Sequence, residues 1–217
     1  MIDWTILTDN WELYLEGIRN TVLASLLALV GSFVLGIVIA VFRIAPIRIL
    51  NVIGAAYVEF FRNIPLLLVV YLFFLGLPVL GLVFNGFISG TLGLMIYTSS
   101  YIAEAIRAGI QAVPIGQKEA ARASGLTYIQ AMRHVVLPQA LKIVIPPICN
   151  QFLNLVKNSS ILGVVAGMDL MYFGDIVNAD TYDTVSSYAF VSLFYLVLTI
   201  PLSLASRSLE RRLARSG

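Results

Sequence analysis

Five long apolar windows, at about 21–42, 64–80, 91–110, 135–156 and 188–205, recur along this 217-residue chain. Each is close to the roughly 20 residues a helix needs to cross a hydrocarbon core about 30 Å thick. Lipid offers no water to backbone N–H and C=O groups, so such a chain must close its hydrogen bonds in helices or in a sealed barrel. Barrel strands would show alternating segments of about ten residues, and none is present. Charge content points the same way. Only 12% of residues are charged and the mean hydropathy is +0.90, whereas soluble domains carry about 25% charged residues. The expected fold is an all-α integral membrane protein, one domain over residues 1–217 with five transmembrane helices.

Basic residues orient the bundle. Segments 43–48, 107–142 and 207–215 hold most of the 14 Lys and Arg residues. The connections at 78–90 and 158–187 hold none, and the second carries Asp169, Asp175, Asp180 and Asp183. Lys and Arg near span ends stay cytoplasmic. The N-terminus is therefore expected outside and the C-terminus cytoplasmic, with Arg207, Arg211, Arg212 and Arg215 on the anionic inner leaflet. The acidic start (Asp3, Asp9, Glu12, Glu16) lacks the basic region of a leader, so the first window reads as a retained span. A net charge of +2, with no basic run interleaved with aromatics, argues against nucleic acid. Cys149 has no partner for a disulfide, His134 reads as a surface residue, and no metal-ligand cluster is visible.

The cytoplasmic connection at 113–134 is more ordered than a plain loop requires. Pro114 ends the preceding helix, and residues 117–123 are nearly all strong helix formers. Gly125 is the natural left-handed stop for that short helix. Thr127-Tyr128-Ile129-Gln130 then fits a capping box that opens a second one. The first helix offers only alanines as apolar contact groups, so a partner's backbone could approach closely.

These residues have a familiar spacing. Glu119-Ala120-Ala121, three residues, Gly125, nine residues, then Val135-Val136-Leu137-Pro138 closely resembles the EAA loop of ABC importer permeases. The family usually has Ile where Val135 stands. Phe61-Arg62-Asn63-Ile64-Pro65-Leu66-Leu67 is similar to the family's second-span opening. Tyr101-Ile102-Ala103-Glu104-Ala105-Ile106-Arg107-Ala108-Gly109-Ile110 looks like its third span. Lys157-Asn158-Ser159-Ser160-Ile161 resembles the fourth-span end of the polar amino acid branch.

The resemblance implies a type I ABC importer permease fold in a bacterial cytoplasmic membrane. It implies a second permease copy, a cytoplasmic ATPase dimer and an extracytoplasmic solute-binding protein, with a polar amino acid as cargo. Gly116, Glu119, Ala120, Ala121 and Gly125 would couple to the ATPase. This chain has no G-x-x-x-x-G-K-[ST] phosphate cradle, so ATP and Mg belong to the partner ATPase and the chain itself holds no cofactor and is not an enzyme. Relatives that carry cationic amino acids commonly have an acid directly after the lysine, where Asn158 stands here. An amide offers no charge to a guanidinium, so glutamine or glutamate/aspartate is the expected cargo, and arginine, lysine or histidine the alternative.

Polar residues inside the spans are candidates for the path. Asn150, Asn154 and Lys157 or Asn158 share one helical face, with Gln151 and Ser159 adjoining. A mid-span lysine costs roughly 2.5–3.5 kcal/mol on insertion scales and tends to face a cavity or partner. Interhelical bonding by the amides and snorkelling by Lys157 are the competing readings. Pro146 and Pro147 predict a kink in the fourth span, either a gating bend or a static one. Glu104 with Arg107, and Glu59 with Arg62, are spaced to form ion pairs. A carrier that needs no ATPase would share the intramembrane polar residues but gives no reason for the ordered loop. A membrane enzyme finds no nucleophile or metal motif.

Overall fold

The computed structural model describes residues 2–215, with side chains through residue 212; of the basic tail, the side chain of Arg215 lies outside the described residues. Among the described residues every element is a helix, and short loops join them. The short α1 (Thr5–Asp9) leads into α2 (Trp11–Ile44), followed by α3 (Arg48–Asn63), α4 (Leu66–Tyr71) and α5 (Gly86–Gln111). Then come α6 (Ile115–Ala123), α7 (Tyr128–Ala131), α8 (Leu137–Asn158), α9 (Leu170–Thr181) and α10 (Thr184–Arg215).

The expected first span is longer than its apolar window. α2 has 34 residues, about 51 Å at 1.5 Å per residue. Its polar first turns are helical because they pack on the chain's other end. The Tyr14 ring lies 5.5 Å from Phe194 and 6.3 Å from Phe190, centroid to centroid, and the Tyr14 hydroxyl donates to the Ser187 carbonyl at 3.3 Å. Ile6, Tyr14, Leu170, Val177, Phe190 and Val191 form one buried cluster across α1, α2, α9 and α10.

The expected second span at 64–80 is only half of an element. α3 begins at Arg48, well before Ala55, and a 109° bend separates it from the 66–80 segment. Ile64, just before Pro65, takes an extended conformation (φ −109°, ψ 146°), as a residue preceding proline prefers. The helix opened by α4 passes through a π turn (Leu72–Gly76) and a 3₁₀ turn (Leu77–Leu80) beside Pro78.

Among the described residues, three helices are individually long and apolar enough to cross a membrane: Trp11–Ile44, Tyr128–Val165 and Thr184–Arg212. The bent pair, taken together as one span, gives a fourth. The expected third span, α5, does not qualify by apolarity, and its packing says why. It sits among α2, α3, α4 and α8, where Ser89, Gly90, Gly93, Thr98, Ser99 and Ser100 are buried. Small residues let neighbouring backbones close in. A β-carbon at Gly93 would fall 2.9 Å from the Val70 Cα, and one at Gly86 only 1.7 Å from the Val165 carbonyl oxygen. A helix enclosed by other helices needs no lipid-facing side chains.

The two short loop helices differ from expectation in one respect. α7 is not a separate helix but the start of the fourth span, joined to α8 by a π turn at Met132–Val136 just before Pro138. α8 then runs through Pro146 and Pro147 without a break. A sharp bend of this chain, 109°, is at Asn63–Pro65.

Candidate functional site

The rod expected to couple to a partner is built by local chemistry. α6 starts right after Pro114 and stops at Ser124, with Gly125 at φ +88°. A β-carbon there would be strained by backbone conformation alone, since nothing lies within 4 Å of it. The Thr127 hydroxyl accepts from the Gln130 N–H at 3.3 Å, and the Gln130 side chain accepts from the Thr127 N–H at 2.8 Å, completing the capping box that the sequence spells. The rod packs on the Met132–Val136 turn, and Gln139 Nε2 approaches Gln117 Oε1 at 3.5 Å. The rod therefore rests directly on the root of α8.

Of the expected coupling residues, Gly116, Glu119, Ala120 and Gly125 are exposed. The Glu119 carboxylate has no partner among the described residues, and Gly116 stands in open space. Ala121 is different. It is buried against its own chain, where its methyl helps hold the rod in place. The rod's apolar groups are not alanines alone either, because the helix begins at Ile115, which is 73% exposed.

A second polar region lies along α5. Its packed sides are taken by α2 (Gly36 against Ile102), α3 (Tyr57 hydroxyl 2.7 Å from Ser99 Oγ) and α8 (Ile102 with Val144 and Ile148). Tyr97, Tyr101 and Glu104 occupy the remaining strip. Glu104 and Arg107 pair as expected, Arg107 Nε at 3.0 Å from Oε2 and Nη2 at 2.5 Å from Oε1. Arg43, from the end of α2, joins the same carboxylate, a third member that spacing within one helix could not reveal. Glu59 and Arg62 do not pair. Asn63 Nδ2 approaches Glu59 at 3.3 Å, and the Arg62 guanidinium stacks 5.2 Å from the Tyr101 ring centroid, a cation–π contact.

On α8, Asn150, Asn154 and Lys157 are exposed, and neither they nor Gln151 and Asn158 make a side-chain hydrogen bond among the described residues. Interhelical glue within this chain is thus not their role. Asn158 is half-buried. Ser159 is fully buried, its hydroxyl donating to the Val156 carbonyl at 2.7 Å, so it does not line a path. Lys157 borders a pocket of about 290 Å³ with Ser160, Tyr188, Ser192 and Tyr195.

Beneath that pocket lies a residue that charge counting did not single out. Asp169 is fully buried and caps α9, accepting from the N–H groups of Met171 and Tyr172, each at 3.2 Å. The Tyr195 hydroxyl reaches it at 3.4 Å. Burial pushes the Asp169 carboxyl up to about 6 against the pull of those donors. The signal was an Asp directly ahead of an apolar run, in a link noted only for its negative charge.

Comparison with known proteins agrees with this architecture. The chain is 61% identical over 98% of its length, and 98% of the relative's, to the probable glutamine ABC transporter permease GlnM of Bacillus subtilis. It is 31% identical, covering all of this chain and 97% of the relative, to the glutamate/aspartate import permease GltJ of Escherichia coli. A crystal structure of an amino acid ABC transporter with histidines superposes with a TM-score of 0.92 at 34% identity, covering 98% of this chain and 99% of that one. Residues 32–215 match a protein family as well, and the chain belongs to that family, the binding-protein-dependent transport system inner membrane components.

Proposed function

We propose that this chain is the membrane-spanning subunit of an ATP-driven importer that carries glutamine, or else glutamate or aspartate, across a bacterial cytoplasmic membrane. The observation that carries the reading is the 61% identity, end to end, with a probable glutamine permease. The rod at Ile115–Ala123 supports it: largely exposed, closed at its end by Ser124 and Gly125, and seated on the root of α8. In this reading a separate ATPase dimer holds ATP and Mg, grips Glu119 and Ala120, and approaches closely at Gly116. The chain crosses the bilayer five times, α5 included, with its N-terminus outside and its C-terminus inside.

A second permease copy covers the α8 face that bears Asn150 and Asn154, and a solute-binding protein delivers cargo outside. Lys157, with Asn158, meets the amino acid on its way through, and the Glu104–Arg107–Arg43 cluster holds α2 to α5 while α8 moves. The deciding experiment reconstitutes the chain with its ATPase and binding protein in proteoliposomes. Glutamine should stimulate ATP turnover and accumulate inside. Stimulation by arginine or lysine alone would refute the cargo, and uptake without the ATPase would refute the machine.

A further inference from the structure

Between the cytoplasmic halves of α2, α5 and α8 lies a groove of about 720 Å³, floored by Ala40, Ile106, Ala140 and Val144. Along α2 it extends from Phe33 to Ile44, about 16 Å at 1.5 Å per residue. That is close to half of a hydrocarbon core about 30 Å thick, the depth of one leaflet. Its lower end runs into a second pocket of about 350 Å³, and Ile44, Ile110, Tyr128 and Met132 line both. Across this shared rim the chemistry changes. The groove is apolar except for Arg133 at its mouth, while the lower pocket holds Arg43, Gln111 and Lys118. No carboxylate lines either space. Glu104 engages Arg43, so Lys118 and Arg133 carry the uncompensated charge, with the Lys118 ammonium 5.1 Å from the Tyr128 ring centroid.

An apolar slot one leaflet deep that ends in a basic mouth fits an acyl chain joined to a phosphate. Basic pockets between membrane helices on the cytoplasmic side hold such head groups. We propose that this groove is a binding site for an anionic glycerophospholipid of the cytoplasmic leaflet. Its mouth is made by Tyr128, Met132 and Arg133, in the joint between the rod and α8. A seated lipid therefore braces the joint through which the rod moves the span.

The test uses the assembled transporter in detergent, challenged with phosphatidylglycerol and phosphatidylcholine of identical chains and read by native mass spectrometry. Phosphatidylglycerol should be retained about 20-fold more strongly. Changing Lys118→Gln and Arg133→Gln together should bring the two lipids to near parity, because each cation at such a surface contributes about fivefold. Equal retention by the unaltered transporter, or a preference unchanged in the double variant, overturns the proposal. Ala140→Phe, which fills the floor, should release both lipids. Should that variant fail to fold, a photoreactive benzoylphenylalanine at the exposed Leu141 reports the occupant directly: a phospholipid adduct supports the site, and an adduct to a second copy overturns it.

Discussion

The two ends of the molecule are built on opposite plans. At one end α1, α2, α9 and α10 are tied by a buried aromatic cluster, by Thr21 Oγ1 accepting from the Leu170 N–H at 2.9 Å, and by Asp169. At the other end the rod makes few contacts with its own chain and leaves Ile115, Glu119 and Ala120 exposed. Burial of apolar groups fixes geometry, and its absence leaves a surface free for another molecule. The contrast therefore says which substitutions should unfold the protein and which should silence it while folded.

The largest effect is expected at the aromatic end. Tyr14→Ala empties a fully buried site and should cost about 3–5 kcal/mol, read as a lowered melting temperature in detergent with little folded protein left to assay. Second comes Glu104→Gln, which strands Arg43 and Arg107 with side chains 13% and 24% exposed. Loss of a fully buried partner costs about 3–5 kcal/mol. With this much solvent access, about 1–2 kcal/mol is expected.

A smaller effect belongs to Asp169 and depends on pH. Its folded value of about 6 lies above the ordinary 3.8, so between about pH 4 and 6 the folded state holds a proton the unfolded chain has lost. Acidification from pH 7 to 5 should stabilise the protein through this group, and raising the pH through 6 should remove that gain. At 1.36 kcal/mol per unit the whole effect is at most about 3 kcal/mol, and only part of it falls between pH 5 and 7. Asp169→Asn should lose this component; an equal pH response in the variant would exclude the residue.

The smallest stability effect should accompany a large functional one. Glu119→Gln should move the melting temperature within the range of ordinary surface changes, about 0.5 kcal/mol, while lowering transport-coupled ATP turnover by tenfold or more. Gly125→Val, strained at φ +88°, should do the same at a cost of about 1–2 kcal/mol. A destabilisation at Glu119 as large as that at Tyr14 would erase the distinction between the two ends.

Local chemistry was legible in the sequence and distant contact was not. The rod, its Gly125 stop and the Thr127–Gln130 capping box follow from residues within a few positions of one another. So does the Glu104–Arg107 pair. Arg43 could not be added to that pair, because it arrives from another helix. Burial of Ala121 and Ser159 was equally hidden, since a spacing argument cannot say which face a neighbour occupies. The bend at Asn63–Pro65 could have been found from Pro65 alone, but the unbroken apolar tone of residues 64–80 masked it. α5 shows the converse: its small and hydroxylated residues read as a weak span because they serve a helix enclosed by protein.

The unsatisfied side of α8 has a consequence for the cell's supply of this protein. On the proposal that a second copy covers this face, a chain made in excess of its partners would hold Asn150, Asn154 and the Lys157 ammonium against lipid, at roughly 2.5–3.5 kcal/mol for the lysine alone if it sits at mid-depth. Such orphans should be the first prey of membrane proteases. The steady level of the chain would then follow the abundance of its companions more than its own rate of synthesis.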